Sequence, residues 1–478
     1  MPVDYDLVVI GGGSAGLTAA REAALLKARV ALVEKAQIGN HLYRNCISSG
    51  VLAQAGHVAW TVRSAVDFGI AVDNTSVKFP EISRRIQGVI ETITEANSLE
   101  SLARLGVDVI LGSGQFIDRR TFAVNGRQLQ ARAFVIATGS SSSRPEIEGL
   151  DAIDYLTNER VFGLTEAPET LTILGGGSTG VELGQAFARL GSQVTILAAG
   201  LHVLDREDPE AARLVQACLE AEGIRVLGQT QAVRVELWNG KQRVYTNHRT
   251  FGPIDADKIL VSTGRCPNIS SLGLEAAGVR VGRHGVMVNA YLRSSNPRIY
   301  ACGDVIGGYC STHVATYEAN IALRNALFLP HRKSNYRSIP RVVFTSPEFA
   351  SVGFTEPAAH RRYGKDVWVL KQNFKDVDRA QTQAETTGFC KLITRSNGQI
   401  LGAHIVGPSA SDLIAPITLA MAHRLPVGAF EQLVTAYPTL MEINLMAARQ
   451  LAQRQYHRNR LLQNLFEGLF KLCRAWGA

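Results

Sequence analysis

The sequence has no run of about 20 apolar residues, the length that a helix needs to cross a bilayer, so no membrane-spanning helix is expected. It opens without the basic and apolar leader of a secretory signal, which favours a cytoplasmic protein. Cysteine is scarce as well. The seven cysteines are scattered and form no metal-spaced cluster, so the sequence predicts neither a disulfide framework nor a metal site.

Charge is sparse, since Asp, Glu, Lys and Arg make up 19% of the residues, but the balance is basic, with a formal net charge of +8. The basic residues are dispersed and accompany no nucleic-acid-binding motif, so no nucleic acid is expected as a partner. A surface that attracts anionic small molecules or an anionic membrane is the better interpretation. A chain of 478 residues is too long for one hydrophobic core and predicts several domains.

A pattern of strand, glycine turn, helix and strand occurs twice, in residues 5–34 and in residues 170–197. Apolar strands that alternate with helices predict parallel sheets covered by helices. From about residue 336, alternating apolar segments predict an antiparallel sheet followed by helices. The predicted fold class is therefore α/β, with two doubly wound Rossmann-type dinucleotide-binding domains and a C-terminal α+β domain.

The first glycine turn has the spacing of a dinucleotide-binding fingerprint. Gly11 permits the tight turn, Gly13 lets the backbone approach a pyrophosphate, and Gly16 lets helix and strand pack closely. The helix N-terminus presents N–H groups and a positive dipole end to the phosphates. Glu34 ends the second strand and is placed to accept hydrogen bonds from a ribose.

The second glycine turn repeats the fingerprint with Gly175, Gly177 and Gly180. No carboxylate stands where Glu34 stands in the first unit, and the nearest cationic candidates are His202 and Arg206. Because NADP recognition needs the acid absent and a cation nearby, NADPH is favoured over NADH. A pocket that binds nicotinamide poorly or not at all is the alternative.

Further motifs follow in a fixed order. They are Ala-Thr-Gly-Ser at 137–140, Gly-Val-Glu-Leu-Gly at 180–184, Ser-Thr-Gly-Arg-Cys-Pro-Asn at 262–268, Tyr-Ala-Cys-Gly-Asp at 300–304 and Phe-Thr-Ser-Pro-Glu at 344–348. With the two fingerprints, they make residues 4 to about 450 resemble the flavoprotein disulfide reductases. That group contains glutathione reductase, lipoamide dehydrogenase and mercuric reductase.

The resemblance implies an FAD enzyme that uses NADPH or NADH and forms a homodimer through its C-terminal domain. It places Asp304 at the FAD ribityl chain and Glu182 near the flavin N5 and the nicotinamide. The implied FAD-binding residues are Gly11, Gly13, Ser14, Ala15, Gly16, Glu34, Lys35, Ala137, Thr138, Gly139, Arg265, Gly303 and Asp304. The implied domains are an FAD-binding domain (1–154 and 276–336), an NAD(P)-binding domain (155–275), a dimerisation domain (337–450) and a C-terminal helix (451–478).

The sequence departs from the family around its redox centre. The family places two cysteines five apart, then Pro-Ser-Lys, whereas residues 38–50 here appear one residue shorter. Cys46 matches the second cysteine, residues 41–43 (His-Leu-Tyr) cover the first, and Gly50 takes the lysine position. The family's His-Pro-Thr and glutamate, its acid–base pair, correspond to Tyr437 and Glu442, with the tyrosine as in mercuric reductases.

One cysteine without a histidine is not expected to run a dithiol relay, so disulfide reduction and mercury reduction are both predicted to be lost. The predicted reaction is hydride transfer to FAD and then to a small acceptor, with a quinone favoured. A transhydrogenase, a single-cysteine peroxidase and a non-catalytic flavin sensor or scaffold are the alternatives. Cys46 either cycles through a sulfenic acid or packs as a small apolar residue near the flavin.

The C-terminal segment extends past the family's end. In residues 458–476 the apolar positions fall on one helical face, and Arg458, Arg460, Lys471 and Arg474 are among the polar ones. A basic amphipathic helix with Leu, Phe and Trp suits peripheral contact with a membrane surface. Docking of the helix on the protein's own dimer is the alternative.

Overall fold

A computed structural model of the protein describes residues 3–39, 42–73, 75–95, 98–248 and 252–477, without the side chains of residues 42–44. The chain forms two compact units. The first comprises Met1–Ala199 with Gln229–Asn335, and the second comprises Gly200–Gly228 with Tyr336–Ala478. The domain boundaries drawn from the sequence stay predictions.

The α-helices are, in chain order, α1 (Ser14–Leu25), α2 (Ser48–Arg63), α3 (Phe79–Glu95), α4 (Leu99–Arg104), α5 (Ser178–Arg189), α6 (Pro209–Ala221), α7 (Thr312–Leu327), α8 (Glu356–Tyr363), α9 (Asp378–Gln383), α10 (Ala410–Ala422), α11 (Glu442–Arg458) and α12 (Arg460–Trp476). A π-helical turn, Leu42–Ile47, leads directly into α2.

The strands are β1 (Tyr5–Ile10), β2 (Val30–Glu34), β3 (Val107–Leu111), β4 (Gly114–Phe116), β5 (Thr121–Val124), β6 (Arg127–Ile136), β7 (Ser140–Ser142), β8 (Thr170–Leu174), β9 (Gln193–Leu197), β10 (Arg225–Leu227), β11 (Ala232–Trp238), β12 (Lys241–Thr246), β13 (Ile254–Ala256), β14 (Lys258–Val261), β15 (Arg265–Pro267), β16 (Val281–Gly282), β17 (Gly285–Val286), β18 (Ile299–Ala301), β19 (Pro340–Val343), β20 (Glu348–Gly353), β21 (Val367–Asn373), β22 (Phe389–Arg395) and β23 (Ile400–Gly407).

The first parallel sheet of unit one has the strand order β3-β2-β1-β6-β18. In β1, Leu7 and Val9 belong to one core cluster, while Val8 and Ile10 belong to the cluster on the other face. A strand that is buried on both faces needs an unbroken apolar run, which explains why β1 reads as Leu-Val-Val-Ile. The glycine fingerprint follows this central strand directly.

The second parallel sheet of unit one contains the strands β9-β8-β14 in that order. The predicted strands at 170–174 and 193–197 have these bounds in the structure. Beside them, β11, β12 and β13 form an antiparallel sheet that the sequence analysis missed. Its local signal was Asn239-Gly240, where both residues have positive φ, as a two-residue hairpin turn requires.

The second unit is built on an antiparallel sheet of order β19-β20-β23-β22-β21, and α10 and α11 pack against it. The alternating apolar segments predicted from the sequence, 341–344, 367–373, 388–394 and 399–406, correspond to β19, β21, β22 and β23, whereas β20 was not predicted. Parallel α/β sheets together with an α+β C-terminal part confirm the predicted fold class. Within the described ranges, no helix is both long enough and apolar enough to span a bilayer.

A buried charged cluster lies inside the second unit. Lys391 Nζ donates to Asp208 Oδ1 at 2.6 Å, and both side chains are almost completely buried. His404 lies near this pair, stacks on Phe349 and meets the Phe354 carbonyl through Nε2 at 3.1 Å. Burial lowers the pKa of His404 to about 4, because the imidazolium would lose its hydration. The fold therefore holds this imidazole neutral.

The depressed pKa of His404 makes unfolding pH-dependent. The unfolded chain takes up a proton near pH 6.5 while the folded chain resists until about pH 4, so stability is full above 6.5 and falls as pH decreases. The loss at pH 5 is about 2 kcal/mol. We expect His404→Gln to flatten the decrease in urea unfolding free energy between pH 6.5 and 4. A matched change at the exposed His423 should leave the slope unaltered, and an equal effect there would contradict the assignment.

Candidate functional site

The turn after β1 has the shape of a phosphate-binding loop. Gly11 has a φ of +106°, and a Cβ there would lie 2.4 Å from the Ala137 carbonyl oxygen. A Cβ at Gly16 would lie 1.7 Å from the Gly11 carbonyl oxygen, so this position also demands glycine. At Gly13, by contrast, a Cβ meets no described atom within 4 Å. The backbone at Gly13 is thus open to a ligand.

Glu34 stabilises the same turn. Its Oε2 accepts a hydrogen bond from Gly12 N at 2.7 Å, and its Oε1 accepts one from Ala36 N at 2.9 Å. The carboxylate thereby lies at the end of β2, beside the glycine loop, and it lines the same cleft as Gly11 and Gly13. Its role towards a ribose stays a prediction.

A second group of polar side chains lies where β6 and β18 end. Ser140 Oγ donates to Asp304 Oδ2 at 2.6 Å, and Arg265 Nε donates to Ser140 Oγ at 2.7 Å. Arg265 also forms an ion pair with Asp304 at 3.4 Å. Glu318, buried in α7, accepts a hydrogen bond from Gly303 N at 2.7 Å and so supports the turn that carries Asp304. Ser140 and Glu318 were missed as site residues; Ser140 closes the Ala-Thr-Gly-Ser motif, which could have indicated it.

These groups line one cleft of about 440 Å³, a volume in the range of cofactor pockets. The cleft brings together the predicted residues Gly11, Gly13, Ser14, Ala15, Glu34, Lys35, Cys46, Ala137, Thr138, Gly139, Glu182, Arg265, Gly303 and Asp304. Gly16 packs behind the loop instead. Carboxyl ends of parallel strands meet at one edge of a sheet, which is why segments so far apart in sequence converge here.

Cys46 lies in the wall of this cleft, at the end of the π-helical turn. Its Sγ lies 3.2 Å from Oγ1 of Thr312, the first residue of α7. Cys310 lines the same cleft, but desolvation and the nearby Asp304 raise its thiol pKa to about 11. Burial also raises the pKa of the Cys302 thiol. Cys310 and Cys302 therefore form thiolates less readily than an ordinary cysteine does, which weakens both as candidates for thiol chemistry.

The second glycine turn has the same geometry as the first. A Cβ at Gly175 would lie 2.2 Å from the Ser262 carbonyl oxygen, and one at Gly180 would lie 2.2 Å from the Gly175 carbonyl oxygen. Gly177 again meets no described atom within 4 Å. In the helix that follows, Glu182 reaches the first cleft. The N-terminus of α5 thus follows the second glycine turn, while Glu182, one helical turn further along α5, lines the first cleft.

The remaining predicted site residues lie elsewhere. His202, Arg206, Tyr437 and Glu442 belong to the second unit. Tyr437 is 71% exposed and donates from its hydroxyl to Asp378 Oδ2 at 2.8 Å, which raises its pKa because the bond stabilises the neutral phenol. Glu442 Oε2 accepts from Thr439 N at 3.3 Å. His41 lies outside the described residues, as do the side chains of residues 42 and 43.

Comparison with known families matches the chain in two segments. Residues 5–319 match the family described as pyridine nucleotide-disulphide oxidoreductase, and residues 339–448 match the dimerisation domain of that family. Both the two dinucleotide turns and the antiparallel sheet of the second unit lie within these matches.

Curated relatives resemble nearly the whole chain. A mercuric reductase of Bacillus cereus is 35% identical over 453 residues, which cover 92% of this chain and 70% of the relative. A dihydrolipoyl dehydrogenase of Geobacillus stearothermophilus is 34% identical over 456 residues, covering 93% and 96%. Among solved structures, the Cu(II) complex of the HOCl-induced flavoprotein disulfide reductase RclA from Escherichia coli has a TM-score of 0.84 at 27% identity, covering 94% of this chain and 100% of that one.

These relatives correct the acceptor that the sequence suggested. The expectation of a quinone reductase without disulfide-reductase chemistry is wrong, since the relatives are named as mercuric reductase, dihydrolipoyl dehydrogenase and disulfide reductase. The change at one cysteine position does not by itself remove the thiol chemistry. Cys46 nevertheless remains in the wall of the cleft, where it contacts Thr312.

The contrast between Gly11 and Gly13 provides a test of the cleft. A side chain at Gly13 projects into space that a pyrophosphate would occupy, without touching the fold. We therefore expect Gly13→Val to lower FAD retention by at least about tenfold, measured as the ratio of absorbance at the flavin and protein bands, with an unchanged far-UV spectrum. Gly88→Ala, another glycine with open surroundings, is the control. Full yellow colour in Gly13→Val would contradict the assignment.

Proposed function

The chain belongs to the pyridine nucleotide-disulphide oxidoreductase family, and on this premise we propose an FAD-dependent NAD(P)H oxidoreductase of the disulfide-reductase type, whose acceptor reacts at Cys46. The position of Cys46 is the observation that carries the proposal. Its thiol shares one cleft with the glycine loop, Asp304 and Glu182. A thiol-reactive acceptor, either a disulfide or a soft metal ion, is therefore the class that the site favours.

The first cleft fits FAD by its own chemistry. The loop at Gly13 and the N-terminus of α1 offer backbone N–H groups to a pyrophosphate, and Glu34 offers carboxylate oxygens to a ribose. Asp304, positioned by Ser140 and Arg265, would hold the ribityl hydroxyls. When bound, FAD supplies the two-electron carrier between NAD(P)H and the acceptor.

The second glycine turn is the site for the nicotinamide dinucleotide, because Gly177 is open in the same way as Gly13. Glu182 lies one helical turn further along α5 and lines the first cleft, so it is placed where the two ligands would meet. Following the resemblance, we propose Glu182 as a catalytic residue that lies near the flavin N5 and the nicotinamide.

In the reaction that we propose, each NAD(P)H delivers two electrons, which reduce one disulfide, one Hg(II) to Hg(0), or two Cu(II) to Cu(I). With a disulfide acceptor, NAD(P)H, one proton and RSSR give NAD(P)⁺ and two RSH. We place the acceptor at Cys46 because Cys302 is completely buried, and because desolvation and the nearby Asp304 raise the pKa of the exposed Cys310 thiol to about 11. In the sequence, His41 stands five residues before Cys46, at the spacing that the family's cysteine pair has.

The protein acts as a homodimer through its dimerisation domain, residues 339–448. Following the resemblance, we expect Tyr437 and Glu442 to lie towards the flavin of the partner subunit, so that the dimer completes each site. The exposure of Tyr437 in a single chain is consistent with such a use. This arrangement would be contradicted if light scattering showed a monomer and that monomer turned over substrate at an undiminished rate.

Cys46→Ser provides the test of the proposed acceptor site. We expect NAD(P)H to bleach the flavin of the variant anaerobically as in the unaltered protein, because the hydride step does not need the thiol. Turnover should fall by at least about a hundredfold, which is the rate loss usually seen when a nucleophile is removed. The acceptor in this assay is whichever of lipoamide, glutathione disulfide, Hg(II) and Cu(II) the unaltered protein reduces. Cys473→Ser, an exposed cysteine in α12, is the matched control.

Two results would contradict the proposal. One is that none of these acceptors is reduced by the unaltered protein although NAD(P)H bleaches its flavin. The other is that Cys46→Ser turns over at the same rate as Cys473→Ser, which would mean that the electrons reach the acceptor without the thiol.

The nucleotide preference gives a separate prediction. Leu197, Ala198 and Ala199 follow the second fingerprint without a carboxylate, so we propose NADPH as the preferred donor, with His202 and Arg206 as its cationic partners. Arg206→Ala should raise the KM for NADPH about tenfold and leave that for NADH unchanged, since one charge-assisted phosphate contact is lost. Arg213→Ala, an exposed arginine of α6, is the control. Equal KM values for both nucleotides in the unaltered protein would refute the preference.

A further inference from the structure

The C-terminal helix α12 lies beyond the segment that the family match covers, which ends at residue 448. Asn459 separates it from α11, and the Asn459 side chain caps α12 by accepting from Leu462 N at 3.1 Å. The cap marks α12 as a helix with its own defined start rather than a continuation of α11.

One side of α12 packs on the end of α11. Phe466 lies 6.0 Å from the Tyr456 ring, measured between centroids, and Leu462 is half-buried. Gln463 donates to the carbonyls of Tyr456 and His457 at 2.8 and 2.9 Å. These contacts hold α12 against its own chain along one edge.

The adjoining side of α12 is an apolar stripe that leaves large side chains in solvent. The stripe consists of Leu461, Leu465, Leu469, Leu472 and Trp476, each between 52% and 86% exposed. Their spacing of four, four, three and four residues places them on one helical line. With Phe466 and Phe470, the apolar face covers about half of the helix circumference, which is broader than the narrow seam of two paired helices.

The charged residues on and next to α12 indicate which kind of surface would cover this stripe. Between residues 449 and 478 the chain carries six arginines and lysines against one side-chain carboxylate, Glu467. Lys471 pairs with that carboxylate at 2.8 Å, and the exposed Arg460 and Arg474 lie on the same polar face, on the side of the helix opposite the apolar stripe. A helix with a broad apolar face and a cationic polar face complements a lipid layer, whose interior is apolar and whose headgroups are anionic. A terminal Trp suits the boundary between the two.

From this arrangement we propose that α12 is a reversible anchor that lays its apolar stripe into an anionic lipid surface. Leucine side chains would enter the acyl boundary while the long arginine and lysine side chains reach the headgroups. The proposal concerns α12 alone and is independent of the acceptor at Cys46.

Co-sedimentation of the full FAD-loaded protein with vesicles tests the anchor. We expect binding to vesicles of phosphatidylcholine mixed with phosphatidylglycerol, weak binding to phosphatidylcholine alone, and release by raised salt. The double variant Leu465→Gln/Leu469→Gln should bind at least about tenfold more weakly, because two leucines no longer enter the apolar layer. Asn464→Ala, on the polar face of the same helix, should bind as the unaltered protein does.

A triple variant, Arg460→Gln/Lys471→Gln/Arg474→Gln, separates charge from apolar burial and should lose the preference for the anionic vesicles. FAD content and melting temperature of every variant serve as the check on folding. Three results would each overturn the proposal: absence of binding to the mixed vesicles, equal binding to both vesicle types, or a smaller assembly by light scattering in Leu465→Gln/Leu469→Gln. The last would mean that the stripe pairs with a second copy of this chain.

Discussion

The close approach of Gly11 to the Ala137 carbonyl is the constraint on which the functional cleft depends. Gly11 has no side chain, so the carboxyl ends of β1 and β6 can lie side by side. The backbone then turns directly into α1. That turn leaves Gly13 open and points the N-terminal N–H groups of the helix into the cleft. The second turn, at Gly175 and Ser262, solves the same packing problem with the same geometry. Two open glycine turns of the same shape therefore follow from one steric rule applied twice.

Helix α5 links the two parallel sheets of the first unit. Its N-terminus follows the second glycine turn, and its Glu182 lines the first cleft. Helix α2, which follows Cys46, packs against α5 so closely that a Cβ at Gly56 would lie 3.2 Å from the Ala186 backbone. Arg189 of α5 also lies over the Trp60 ring of α2. The segment that carries Cys46 and the second glycine turn are thus held by one pair of packed helices.

The thiols around the cleft show that the presence or absence of motif residues does not by itself identify the acceptor. Two thiols five apart and a histidine define the dithiol relay, and their incomplete presence led to the wrong expectation of a quinone acceptor. The contact between Cys46 and Thr312 joins positions that are 266 residues apart, so no local motif contains it. Nor does a motif reveal that Cys310 lies in the same cleft with a pKa raised to about 11. The surroundings of each thiol therefore matter as much as its identity: Cys302 is buried, whereas Cys310 is exposed but has a raised pKa.

The sequence by itself determined the two fingerprints, the parallel strands that carry them, and the amphipathic α12, because each depends on glycine spacing or on hydrophobic periodicity within about 30 residues. The hairpin at Asn239 and Gly240 was also readable locally, although it was missed. Only the tertiary structure decided that Ser140, Arg265 and Asp304 form one hydrogen-bonded group, and that His404 is buried neutral near the Lys391–Asp208 pair. The physical reason is that hydrogen bonding and desolvation depend on which distant segments the fold brings together, and periodicity along the chain carries no record of that.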